Sequence, residues 1–381
     1  MKRRKSLHIA MIGHKRVPSR EGGVEVVVWE LAQRLKDRGY SVDCYNRSGY
    51  HVSAADYERI PGKKGYYRDG VRILTIPTVK NPKFNAIIYA ILGTCRALFG
   101  HYDVIHYHAE GPCLMLWLPK LFGIRTVATI HGLDWQRAKW GNFASRMLLT
   151  GERIAARQAD EVIVLSRNVQ EYFLQKYGRQ THYIPNGIRE PVRRPAQIIR
   201  EQYGLKGEDY ILTLSRLVPE KGLHYLLDAF RGIDTEVKLV IAGGSGGAAA
   251  YTEKLHRMGE KDDRVIFPGF VSGRLLEELM SNAGIFCLPS DVEGMAVSLL
   301  EAMSYGNCCL VSDIPENLEV VGDKAACFRH GDVRSLRREL KDLLEDQDRR
   351  EGYRREAAGY IMKHHNWEDM TTGTERLYHG K

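Results

Sequence analysis

The sequence predicts an α/β protein made of two doubly wound parallel-sheet domains in tandem, and three observations carry that reading. The chain has 381 residues, a length that favours two cores over one. Short apolar runs alternate with helix-period segments along the whole chain. The alternation occurs in two series, separated by the proline- and arginine-rich stretch IREPVRRPAQ at 188–197, which reads as a linker.

The first series holds the strand-like runs LHIAMIG (7–13), VRILTIP (71–77), DVIHYH (103–108), TVATIHG (126–132) and EVIVLS (161–166). Near-continuous apolar runs of this kind suit strands covered on both faces, as in a parallel sheet. Helix-period segments lie between them. Glu25–Arg38, for example, sets Val27, Val28, Leu31 and Leu35 on one face. The series ends near Ile184-Pro-Asn-Gly187. The second series holds YILTLS (210–215), VKLVIAG (237–243), RVIFPGFV (264–271), GIFCLP (284–289) and CCLVS (308–312). A polar helix follows from Arg334 to about Ala358. The expected domains are 1–189 and 190–363, with 364–381, which carries Trp367, packing back on the first. Ligands of such sheets bind beyond the C-terminal strand ends, so two such edges facing each other would form a cleft.

Composition is that of a soluble globular protein, with 44% hydrophobic and 27% charged residues. No run is long and apolar enough to span a bilayer. MKRRKSLHIAMIG begins like a signal peptide, but its apolar part is short and runs into Gly13-His14-Lys15-Arg16 without a cleavage site. It reads as a first strand behind a basic tip, in a cytoplasmic protein. The seven cysteines form no C-x-x-C pair, and several sit in apolar runs, which fits reduced buried thiols rather than disulfides or zinc. The net charge of +9 is uneven. Residues 1–190 hold 30 Lys+Arg against 16 Asp+Glu, and residues 191–381 hold 26 against 31. The halves therefore suggest separate jobs.

Several segments carry chemistry. Ser215-Arg-Leu-Val-Pro-Glu-Lys-Gly222 sets Arg216 and Lys221 just beyond a strand's C-terminal end. Two cations there could hold a diphosphate without a metal, although the motif alone serves a solvated loop equally well. Ser290-Asp-Val-Glu293-Gly-Met-Ala-Val-Ser-Leu-Leu-Glu301 follows the strand GIFCLP. A helix is expected to start at Glu293, with Gly294, Met295, Ala296 and Val297 as a first turn whose free N–H groups favour an anion. Glu301 lies two turns on, roughly 12 Å along the axis. The two carboxylates thus suit two ends of one long ligand rather than an acid/base pair. Against this, Glu293 could be a dipole-favoured N-terminal charge and Glu301 a solvated residue, but the apolar neighbours of Glu301 call for a partner. Gly22-Gly23 after the first strand could let backbone approach a ligand, or be a plain turn. His131 ends a strand, where catalytic and structural histidines are both at home. Gly244-Ser-Gly246-Gly-Ala-Ala249 only loosely matches a dinucleotide fingerprint, and no acidic residue ends the next strand. Asp346-Gln-Asp348 reads as part of a solvated helical run rather than a metal motif.

Together these residues resemble the retaining nucleotide-sugar glycosyltransferases of glycosyltransferase family 4 (group 1), a GT-B class with two Rossmann-like domains facing a central cleft. The resemblance spans essentially the whole chain: the Gly-Gly loop, His131-Gly132, Pro185-Asn-Gly187, S-R-L-x-P-x-K-G and E-G-M-x-x-S-L-L-E-A-M. The last two, in this order, are the specific ones. His106–Gly141, with Trp135-Gln-Arg-Ala-Lys-Trp140, also resembles a rhamnosyltransferase or polysaccharide-biosynthesis subgroup. The resemblance implies that Arg216 and Lys221 clamp the donor diphosphate. Glu301 would hold the ribose, and Glu293 the transferred sugar with help from the backbone of Gly294–Val297. Gly22 and Gly23 would approach the phosphates, and His131 would sit beside the sugar. Gly243 would join the donor site, and Val271 would offer backbone contacts to the base. Ala296 stands where many relatives have Pro, a small departure because the contact there is through backbone.

The expected reaction moves a hexosyl group from a nucleoside-diphosphate sugar, a UDP-sugar being favoured and dTDP-rhamnose the second choice, to a glycan or lipid-linked acceptor. No cofactor and no metal is expected. The basic first domain would bind the acceptor. The apolar segment Phe84–Phe99, flanked by Lys80, Lys83 and Arg96, reads first as a core helix and second as a helix meeting anionic lipid at the inner face of the membrane. Two rivals stay open: a nucleotide-sugar epimerase of the same shape, and an idle sugar-nucleotide or nucleic-acid binder. For nucleic acid no aromatic-basic interleaving is present, and none is expected to bind.

Overall fold

Both sheets are built from the apolar runs, and the helices cover their faces. The computed structural model describes residues 6–49, 58–59, 61–62, 65–79, 81–136 and 141–380. The basic tip Met1–Lys5, Lys80 and Arg137–Trp140 lie outside them, as does the side chain of Lys83. The chain divides into two compact units, Met1–Asn186 with Trp367–Lys381, and Gly187–Asn366.

The first unit runs β1 (His8–Ile12), α1 (Gly23–Asp37), β2 (Ser41–Arg47), β3 (Tyr66–Arg68), β4 (Val71–Ile76), α2 (Pro82–Leu98), β5 (Val104–His108), α3 (Trp117–Leu121), β6 (Arg125–Ile130), α4 (Asn142–Gln158), β7 (Glu161–Val164), α5 (Arg167–Tyr177) and β8 (His182–Tyr183). The strand order is β3-β4-β2-β1-β5-β6-β7-β8. All neighbours pair in parallel except β3 and β4, which form an antiparallel edge that the apolar pattern does not announce. The pattern also misses β2, because that strand carries polar residues inward. Its Asp43 is buried, and its Oδ2 accepts from Tyr102 Oη at 2.5 Å. Its Asn46 accepts from Val17 N at 2.8 Å and donates to Val17 O at 3.0 Å, pinning the loop after β1. Buried polar groups are tolerable when paired in this way.

The second unit runs α6 (Ile198–Tyr203), β9 (Tyr210–Leu214), α7 (Leu223–Arg231), β10 (Lys238–Ala242), α8 (Ala249–Gly259), β11 (Val265–Gly269), α9 (Gly273–Ser281), β12 (Ile285–Leu288), α10 (Val297–Ser304), β13 (Cys308–Ser312), α11 (Pro315–Val321), β14 (Ala326–Phe328), α12 (Val333–Glu345) and α13 (Gln347–His364). The strand order is β11-β10-β9-β12-β13-β14, and every neighbouring pair is parallel. The polar tail read as one helix is two. Asp346 breaks it and caps α13, its carboxylate accepting from Arg349 N at 2.9 Å. The D-x-D is therefore a helix cap rather than part of a continuous solvated run.

The chain then returns to the first unit as α14 (Trp367–Tyr378). Trp367, Met370, Leu377 and Tyr378 join Ile9, Met11, Val28, Leu31 and Val127 in one buried cluster. Arg38 ties the helix down, donating to Glu375 and to Glu368 at 2.7 Å each.

Helix α2 is neither wholly core nor wholly surface. Tyr89, Ala90, Thr94 and Ala97 are buried, whereas Phe84, Ile91 and Leu92 are exposed. All seven cysteines are free thiols. Among the described residues no helix is long and apolar enough to cross a membrane.

Candidate functional site

In each sheet the strand order reverses direction at one point, between β1 and β5 in the first unit and between β9 and β12 in the second. The loops leaving adjacent strands diverge there, which opens a crevice at the C-terminal ends. The residues singled out in the sequence fall on these loops.

In the second unit, Arg216 and Lys221 follow β9, while Ser290 and Glu293 follow β12. Three contacts draw the two loops together. Asp291 N donates to Glu220 O at 2.9 Å. Gly222, at φ +63, packs so closely on Pro289 that an added Cβ would lie 1.9 Å from its carbonyl oxygen. Finally, Lys221 Nζ donates to Glu293 Oε1 at 2.5 Å, and Ser290 Oγ donates to the same oxygen at 2.6 Å. The Lys221 and Glu293 side chains are 14% and 6% exposed, so the pair is largely withdrawn from water. Ser290 is held in turn, its carbonyl accepting from Ser312 Oγ at 2.6 Å. Arg216 backs onto the glycine loop that follows β10, with Leu217 N donating to Gly244 O at 2.8 Å. Gly243, at φ +153, admits no Cβ against Ser215 O and donates its N–H to Gly269 O at 2.8 Å. Val271 lies buried just beyond β11.

One expectation needs correcting. Helix α10 starts at Val297, not at Glu293. Ala296 is its extended N-cap, and Leu299 N already bonds Ala296 O at 3.0 Å. Gly294, Met295 and Ala296 are thus loop residues that carry Glu293 back to Lys221, and the helix offers an anion the N–H groups of Val297 and Ser298. Glu301 lies one turn into α10 instead of two turns from a start at Glu293.

In the first unit, Gly22 and Gly23 form the N-terminus of α1. His131 follows β6 in a loop anchored twice. Asp134 N donates to the buried Glu110 carboxylate at 3.1 Å, and Trp135 Nε1 donates to the buried Glu152 at 3.0 Å. Glu152 also accepts from Tyr172 at 2.7 Å and Tyr177 at 2.5 Å, and pairs with Lys176 at 3.1 Å. His131 Nε2 meets His108 Nδ1 at 3.1 Å.

The sequence reading passed over His108, Ser290 and Glu220. Glu220 is 3% exposed, and neither carboxylate oxygen has a hydrogen-bond partner among the described residues. Histidines on alternate residues of one strand, 106 and 108, were the available signal for the first. Among the described residues no group of three or more His, Cys, Asp or Glu could hold a metal ion.

Comparison with known proteins covers the chain from both halves. Residues 21–190 match the model described as Glycosyltransferase Family 4, and residues 196–378 match Glycosyl transferases group 1. The phosphatidyl-myo-inositol mannosyltransferase of Mycolicibacterium smegmatis is 25% identical over 367 residues, covering 94% of this chain and 90% of its own. Among solved structures, the sucrose-phosphate synthase of Thermosynechococcus elongatus superposes with a TM-score of 0.82 at 22% identity, over 98% of both chains. The Anabaena protein HepE in complex with UDP and glucose superposes with a TM-score of 0.80 at 18% identity, over 98% of this chain and 100% of that one. With two parallel-sheet units of the GT-B fold and one family model matched to each half, the chain belongs to the family 4, group 1 glycosyltransferases.

Proposed function

We propose that this glycosyltransferase moves a hexosyl group from a nucleoside-diphosphate sugar, a UDP-sugar by preference, to a glycan or lipid-linked acceptor in cell-surface polysaccharide assembly. It does so with retention at the anomeric carbon and without a divalent metal. The observation that carries this is the Lys221–Glu293–Ser290 cluster at the switch point of the second sheet, with Arg216 on the same loop after β9. The UDP and glucose of the Anabaena neighbour support the choice of base.

In this reading the bond from the sugar's anomeric carbon to the β-phosphate oxygen breaks, and its electron pair leaves with the diphosphate. Arg216, Lys221 and the N–H groups at the start of α10 stabilise that growing charge. They take the part a divalent cation would otherwise fill. Glu293 accepts from a sugar hydroxyl, and Glu301 holds the ribose. Gly243 and Val271 line the nucleotide, while Gly22, Gly23 and His131 serve from the first unit. The acceptor hydroxyl attacks the same face, and its proton passes to the departing phosphate oxygen.

Thermal unfolding with UDP, dTDP, GDP, CMP, NAD and single-stranded DNA, with and without chelator, tests this. A nucleoside diphosphate at a hundred times its dissociation constant should stabilise by about 2.7 kcal/mol, equally in chelator. A shift with NAD or DNA alone would overturn the donor site. Turnover of the sugar nucleotide without any acceptor product would favour the epimerase.

The same proposal includes peripheral binding to anionic membrane. Its support is the apolar surface that α2 and the neighbouring α3 leave uncovered. Ile91 and Leu92 are exposed with the basic Arg96 beside them, as are Phe99, Leu121 and Phe122. Sedimentation with anionic vesicles at low salt should carry the protein down, and Leu92→Asp with Phe99→Asp should abolish this. Wild-type protein left in the supernatant would remove the membrane from the reading.

A further inference from the structure

A file of histidines lies under the C-terminal strand ends of the first unit. His106 and His108 share one face of β5, and Thr129 and His131 stand beside them on β6 and just past it. His106 is held at both nitrogens. Its Nδ1 bonds Tyr378 Oη of α14 at 2.6 Å, and its Nε2 bonds Thr129 Oγ1 at 2.7 Å. Its ring lies 4.1 Å from that of His108, tilted by 31°. His108 Nδ1 meets His131 Nε2 at 3.1 Å, while His108 Nε2 is buried with no hydrogen-bond partner among the described residues.

The contact between His108 and His131 needs one proton, and burial decides where it sits. Burial, aided by the surrounding histidines, holds His108 well below the usual imidazole range, so its ring is neutral. If His131 Nε2–H were the donor, the one ring proton of His108 would sit on Nε2, a buried N–H facing no acceptor. If His108 Nδ1–H is the donor, only a lone pair at Nε2 is left unmet. Orphaned buried N–H groups are the rarer and costlier of the two. The adjacent His14 shows the same preference. Its Nε2 faces Asn46 Oδ1 at 3.1 Å and must carry the proton, so its Nδ1, without a partner among the described residues, is a lone pair.

We propose that His108 is a positioning residue whose Nδ1–H fixes His131 as the Nδ1-protonated tautomer, with His106 backing the His108 ring. The second ring nitrogen of His131, Nδ1, is then a hydrogen-bond donor rather than a lone pair, the polarity that a sugar hydroxyl or phosphate oxygen accepts. The part this plays in turnover rests on the reading above that His131 lies beside the donor sugar.

The ring ¹⁵N resonances of His131 in the full-length protein at neutral pH test it directly. The expected spectrum shows a protonated Nδ1 and an unprotonated Nε2. The opposite assignment in the wild type would overturn the proposal, whatever the variants do. His108→Asn keeps an N–H near the Nδ1 position and should leave the His131 tautomer unchanged. His108→Leu removes it and should give mixed tautomers, with UDP release from UDP-glucose about ten-fold slower at unchanged KM. Equal effects of Asn and Leu on the His131 resonances would sink the idea even if one variant unfolds more easily. Full UDP release in His131→Ala would instead remove the site reading, leaving the tautomer assignment to stand on the spectrum.

Discussion

Lys221→Met is expected to slow sugar transfer by about a hundred-fold or more and also to weaken the fold. The first effect follows from taking one cation away from the leaving diphosphate, in a site where a single stabilising donor is commonly worth that much. The second follows from the ion pair. Lys221 and Glu293 are mostly shielded from water, and the Glu293 oxygen facing Lys221 has Ser290 as its other donor. Removing the ammonium alone strands a buried carboxylate, at a cost of about 3 kcal/mol. Glu293→Gln should destabilise for the mirror-image reason. The double variant Lys221→Met with Glu293→Gln removes both charges, so it should recover most of the stability while staying inactive. Urea unfolding of the four proteins, read beside UDP release, separates the two effects. If the double variant were as unstable as the sum of the singles, the ion pair would not be what joins the two loops. Near-normal transfer by either single variant would remove that residue from the donor site.

Stability is expected to fall steeply as the pH drops below about 6. Burial holds His14 and His106 down to about 3, and His108 well below its ordinary value of 6.5. In the unfolded chain each would titrate near 6.5. Between those limits the unfolded state takes up protons that the native state refuses, so stability rises with pH across the window and is level above it. Each histidine contributes about 1.4 kcal/mol per pH unit, and three together about 4. Against a total stability of about 5–15 kcal/mol, that should open the first unit near pH 4. Urea midpoints measured from about pH 8 downwards check this. Carboxylates titrate only near 4 and below, so an onset near 6 identifies the histidines. A profile flat to about pH 5 would contradict their burial as neutral rings.

The strands with unbroken apolar runs were legible in the sequence because burial on both faces leaves no polar position to confuse the period. Strand β2 was not, since Asp43 and Asn46 point inward and are satisfied by Tyr102 and the Val17 backbone, partners that no local pattern announces. The start of α10 was misplaced because Gly294–Ala296 look like a first turn, yet Glu293 is held out of the helix by Lys221 and Ser290, which both donate to one of its carboxylate oxygens. The motif residues themselves could be named from sequence. Their pairing could not, for Lys221 and Glu293 stand 72 positions apart and only the sheet order brings them together. The same holds for His108 at the end of β5 and His131 just past the neighbouring β6.

The return of α14 to the first unit has a consequence for how the chain is made. A ribosome completes residues 1–186 long before it reaches Trp367, so the sheet face bearing Ile9, Met11 and Val127 waits with α1 over it but without the part of its cover that α14 supplies. At about 5–20 residues per second the wait is roughly 10–40 s. The second unit, contiguous in sequence, has all its strands outside the exit tunnel before the first can close. The usual N-to-C order of domain maturation is therefore inverted here. During that interval the nascent first half presents an unfinished apolar face, the kind of surface that holdase chaperones engage.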